Sequence, residues 1–124
     1  MRVSQKAFDR IVETAIERIP EEIRRHLDNL VISVRRAPSQ DMEREMGIDP
    51  GEDLLGLFQG VPMIERSVSA PSLFPDTIFL FQGPLERMCR TVEELEEQIE
   101  ITLVHEVAHF IGMGEERLAE LGYA

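Results

Sequence analysis

The sequence predicts a small α+β domain, with about three strands in a mixed sheet packed on helices and one long buried helix at its centre. Three observations carry this. Apolar residues recur at helical spacing through the first 19 positions. Three short runs rich in β-branched and aromatic residues follow, separated by stretches rich in Pro, Gly and acids. Residues 91–111 then form a capped segment that is apolar around most of a helical circumference. At 124 residues with 43% hydrophobic content, the chain is expected to form one domain spanning 1–124.

The elements follow in order. Ser4 can cap a first helix reaching about Ile19, with Phe8, Ile11, Val12, Ala15, Ile16 and Ile19 as its stripe. Pro20 suits the first helical position of a short second helix, residues 21–27. Residues 30–34 read as the first strand. Residues 39–53 are polar and acidic, with Asp49-Pro50-Gly51 as a turn, and are expected to form a loop, a candidate lid. Residues 54–59 are the second strand, ending at Gly60. Residues 61–76 carry three Pro and three Ser and are a connection. Residues 77–82, Thr-Ile-Phe-Leu-Phe-Gln, form the strongest strand, stopped by Gly83-Pro84; residues 85–90 are a short helical link. Thr91 and Glu94 make a capping box for the long helix, and residues 115–121 form the last one.

The most informative stretch is His105-Glu106-Val107-Ala108-His109, which reads H-E-x-x-H. Two His four apart lie on one helix face, one turn from each other, so both imidazoles can reach a single ion. Gln98, Thr102, His105 and His109 form the polar strip of an otherwise apolar helix, with Glu106 at its margin. Polar groups in a mostly buried helix need partners, and one metal ion supplies a partner for all three motif residues. In this motif the His pair binds zinc and the Glu is the general base on a water. Gly112 can end the helix in a left-handed turn, and Glu115 follows three residues later. The full string is H-E-x-x-H-x-x-G-x-x-E. A catalytic zinc takes three protein ligands and keeps an open position. Glu115 is the best third ligand; Glu116 and Glu120 compete with it by nearness.

At this point the chain resembles the small bacterial zincin-like metallopeptidases, sometimes called minimal metalloproteases. The matching pieces are H-E-V-A-H-F-I-G-M-G-E-E-R-L-A-E-L-G-Y, F-Q-G-P-L-E-R-M-C-R and G-L-F-Q-G-V-P, which cover most of the second half. The resemblance implies a short zincin fold with a central zinc helix, one zinc ion and a peptidase activity. It puts Asp or Glu at the position of Glu115, beside His105 and His109. The chain departs from the metzincins, which place His where Glu115 stands and have a Met turn downstream; no Met follows Glu115 here. In zincins an edge strand borders the cleft and binds extended peptide. Residues 54–59 and 77–82 are both candidates for that strand.

Composition narrows the partners. A net charge of −11 argues against nucleic acid or an anionic membrane surface. Arg24-Arg25 and Arg35-Arg36 read as local solvated pairs. No apolar run is long enough to span a membrane, and no export signal is visible, so cytoplasmic residence is the expectation. Cys89, the only Cys, cannot form an internal disulfide and reads as a small, partly buried thiol. The expected activity is zinc-dependent hydrolysis of a peptide or protein substrate, with Glu106 as base and Tyr123 or Arg117 as candidate oxyanion donors. Two alternatives stay open: a zinc-stabilised binding module without turnover, and a zinc hydrolase acting on RNA. Ribosomal-RNA-processing proteins of similar design lack the second-position Glu and use a third His. Substrate preference and oligomeric state are not legible.

Overall fold

The computed structural model describes residues 1–49, 53–60 and 75–123. Helix α1 (Gln5–Arg18) starts where expected, with the Ser4 hydroxyl accepting the Ala7 N–H at 3.1 Å. Phe8, Ile11, Val12 and Ala15 are buried along its stripe. Pro20 does not occupy the first helical position. It is the N-cap of α2 (Glu21–Arg24), in extended conformation, and its carbonyl accepts from Ile23 and Arg24. A 3₁₀ turn, Arg25–Asn29, completes the segment.

Among the described residues the sheet has three strands: β1 (Val31–Arg35), β2 (Gly56–Gln59) and β3 (Thr77–Phe81). Their order is β1-β3-β2. β1 runs parallel to β3, with Val31 opposite Thr77, and β2 runs antiparallel to it, with Gly56 opposite Leu80. The central position of β3 accounts for its unbroken apolar run, since every residue from Ile78 to Phe81 is buried. Of the two candidate border strands, β2 therefore lies at an edge.

Two expectations fail between the strands. Part of the supposed loop is a helix, α3 (Gln40–Glu45), whose N-cap Ser39 accepts the Met42 N–H at 3.1 Å. Asp41 and Glu43 in its first turn suit the helix dipole. β3 ends at Phe81, but the helical link does not wait for Leu85; helix α4 (Gln82–Met88) begins at once and takes Gly83 and Pro84 into its first turn. Pro is tolerated there because first-turn N–H groups have no intrahelical acceptor. The turn expected at residues 49–51, most of the 61–76 connection and the question of a lid lie outside the described residues.

Helix α5 (Val92–Ile111) is the spine of the domain. It packs against α1, β2, β3 and α4. Leu95, Ile99, Leu103, Val104, Val107 and Ala108 are buried in one apolar cluster with the α1 stripe, Ile78 and Leu80. Thr91 caps it, accepting the Glu94 N–H at 3.1 Å, while Glu94 reaches the Arg90 N–H rather than that of Thr91. The capping box is thus displaced by one residue. Gly112 ends the helix at φ 71°, ψ 28°, as the sequence requires, and α6 (Glu115–Glu120) follows, anchored by buried Leu118. Among the described residues, no helix is long and apolar enough to cross a membrane.

Candidate metal centre

The last two turns of α5 carry the motif. The helix buries Val104, Val107, Ala108 and Phe110 and leaves His105 and Glu106 half-buried and His109 exposed. Positions 105 and 109 lie one turn apart on one side of the helix, as the i, i+4 spacing demands, with Glu106 at the margin of that side.

Glu106 is held from above by the sheet. Its Oε1 accepts the Phe58 N–H at 2.7 Å. Its Oε2 lies 3.7 Å from His109 Nδ1. The Phe58 bond depends on a close approach of β2 to α5, and Gly56 permits that approach. A Cβ at Gly56 would stand 2.6 Å from Thr102 Cγ2 and 3.1 Å from the Phe79 carbonyl. Phe58 also packs on Phe110, with ring centroids 5.5 Å apart. Beside Glu106 and His105 a cavity of about 220 Å³ opens, lined by Leu55, Gly56, Gln98, Ile101 and Thr102.

His105 points elsewhere. Its Nε2 stands 2.7 Å from the carbonyl oxygen of Tyr123 in the turn after α6. A carbonyl can only accept, so this contact puts the ring proton on Nε2. Tyr123 is tied at its other end, where its hydroxyl donates to Glu100 Oε2 at 2.5 Å. Burial, with help from that carboxylate, pushes the phenol well above its ordinary range. Arg18 Nε stands 2.9 Å from the other Glu100 oxygen and Nη1 bonds Glu96 at 3.1 Å.

Glu115 stands exposed at the start of α6, across the Gly112–Gly114 turn. Glu116 is exposed beside it, and Glu120 accepts from Arg117 at 2.7 Å. Among the described residues, no three His, Cys, Asp or Glu side chains are gathered closely enough to hold a metal ion. Glu106 and His109 face each other at 3.7 Å, while His105 turns to Tyr123 and Glu115 stands on α6. The donor chemistry nonetheless fits a zinc ion, because two imidazoles on a rigid helix with carboxylates a short turn away make an N2O set.

The two candidate oxyanion donors are otherwise occupied. Arg117 pairs with Glu22 and Glu120, and Tyr123 with Glu100. Cys89 is buried, and burial raises its thiol above the ordinary value, which disfavours the reactive thiolate. Sequence reading missed Gly56 and the Phe58 N–H, treating Phe58–Gly60 only as a strand end. The available signal was a Gly at the start of a strand, which often marks a close backbone approach.

A family model for zincin-like metallopeptidases matches residues 27–123. No curated protein matches the chain.

Proposed function

The chain belongs to the zincin-like metallopeptidase family, and from that premise we propose that it hydrolyses peptide bonds with one zinc ion, held by His105, His109 and Glu115. The observation that carries this reading is the H-E-x-x-H face of α5 with Glu106 fixed by the Phe58 N–H. Bound zinc supplies positive charge that acidifies a water and polarises the substrate carbonyl. The rest falls to the chain. Glu106 has one oxygen committed to β2, which orients the carboxylate and leaves Oε2 on the side of His109. That free oxygen takes the proton from the attacking water and passes it to the leaving amine. β2, an edge strand lying over the motif, offers backbone groups to an extended peptide, a mode with little side-chain selection. The cavity beside Gln98 and Thr102 receives one substrate side chain.

Glu106→Ala should keep its zinc by elemental analysis and lose hydrolysis of a casein-like peptide pool by about 10³-fold. Full activity in that variant would end the assignment of the base. The alternative reading is a zinc-stabilised binding module without turnover. Zinc content without any cleavage of a broad peptide library would select it. The net charge of −11 weighs against RNA as substrate.

A further inference from the structure

We infer that zinc takes Nε2 of His105 and that the turn 121–123 is a latch competing with the metal for that nitrogen, so that zinc loading and docking of this turn exclude one another. The inference rests on the proposed zinc site. A ring nitrogen has one in-plane direction, and a hydrogen bond and a metal bond cannot both use it. Zinc–nitrogen bonds are about 2.0 Å long, so an ion on Nε2 would fall inside contact distance of a carbonyl oxygen lying along that direction. The Tyr123 carbonyl lies 2.7 Å from Nε2. For zinc to bind there, the carbonyl must leave and the ring proton must move to Nδ1.

The carbonyl is held in place by a built chain of contacts. The Tyr123 N–H donates to the Leu118 carbonyl at 2.8 Å, which closes the turn onto α6. The Tyr123 hydroxyl donates to Glu100, which is buried on α5, and Arg18 of α1 stands against the same carboxylate. Gly122 adopts φ 91°, a conformation other residues take only under strain. The latch therefore spans α1, α5 and α6, and its far end is a motif nitrogen engaged by backbone. Glu100 and His105 lie on the same helix, so releasing the Tyr123 hydroxyl loosens the carbonyl on His105 through a single residue.

Tyr123 is the only Tyr in the chain and there is no Trp, so intrinsic emission reports on the latch directly. Hydrogen bonding to a carboxylate quenches a phenol. Titrating zinc, buffered by a chelator of known affinity, into the metal-free protein should raise Tyr123 emission in step with binding. Tyr123→Phe loses a hydrogen bond to a charged partner and should bind zinc about tenfold more tightly. Gly122→Ala leaves that bond's atoms in place but strains the turn, and should shift affinity the same way. A wild-type zinc affinity unchanged in both variants, with emission unmoved at saturation, overturns the latch and leaves the zinc site standing. Absence of stoichiometric zinc in wild type, with His109→Ala indistinguishable from it, overturns the site and the latch together.

Discussion

Glu86 and Glu106 are both carboxylates on helices that pack within the core, and both accept a backbone N–H, yet they are built for opposite ends. Glu86, on α4, is 2% exposed and satisfied from three directions. Val3 N–H and the Gln82 amide donate to Oε2 at 2.8 and 3.1 Å, and Arg36 Nη2 stands 2.9 Å from Oε1, close enough to pair though off the line of a hydrogen bond. Glu106 has one firm bond, to Phe58, and its second oxygen faces His109 at 3.7 Å beside an open cavity. A carboxylate with one oxygen hydrogen-bonded and the other against a cation joins α4 to the N-terminal segment and to Arg36 just after β1. One with an oxygen in reserve can move a proton. What separates structure from chemistry here is whether a guanidinium stands on the second oxygen, rather than burial alone.

The contrast breaks most visibly if the two residues are exchanged in effect. Glu106→Ala is expected to cost about 10³-fold in turnover with little change in the urea midpoint. Glu86→Ala should do the reverse. It strands the Val3 N–H, the Gln82 amide and Arg36, and should cost about 2–3 kcal/mol of stability, reduced from a fully buried pair because Arg36 is half exposed. Activity per folded molecule should be unchanged. Denaturation curves and initial rates on the same preparations decide it. Equal activity losses in both variants would remove the distinction.

Much of this architecture was legible in the sequence. The α1 stripe, the Ser4 and Thr91 caps, the β3 run and Gly112 are local signals, and each appears within a residue or two of its expected place. The motif face was legible for the same reason, since helical spacing alone aligns His105 and His109. What was illegible depends on tertiary approach. α3 was hidden in an acidic stretch whose Ser39 cap looked like loop composition. No local pattern announces that Phe58 N–H reaches Glu106, that buried Glu86 collects partners from three segments, or that Tyr123 returns to His105. Apart from the Gln82–Glu86 bond within α4, each joins residues 18 or more positions apart.

Gly56 offers a sharper cut, because it acts on Glu106 through position alone. Gly56→Ala introduces a Cβ that would overlap Thr102 Cγ2 and press on the Phe79 carbonyl. β2 must then lift from α5, at an overpacking cost of about 1–2 kcal/mol. The Phe58 N–H should withdraw from Glu106, so turnover falls while zinc content holds. Adding Thr102→Ser removes the clashing methyl and should recover part of both losses, a coupling that a double-mutant cycle measures. Additive effects would show that the strand's approach does not set the orientation of the base.

The smallest expected effect is in pH dependence. Burial alone would raise the Glu86 carboxyl, but the Val3 N–H, the Gln82 amide and Arg36 outweigh it and leave the group below the ordinary value of 4.5. A carboxyl lowered by folding adds stability that is fully present above its unfolded value and lost as pH falls through its lowered folded value. The wild-type urea midpoint should therefore hold steady from neutral pH down toward 4.5 and decline below it. Glu22, lowered by its bond to Arg117 and partly exposed, adds only a screened share of that decline. Glu86→Gln should flatten the acid limb. An unchanged limb in Glu86→Gln would mean that its three partners are equally content with a neutral group, and that the carboxylate holds α4 by shape rather than by charge.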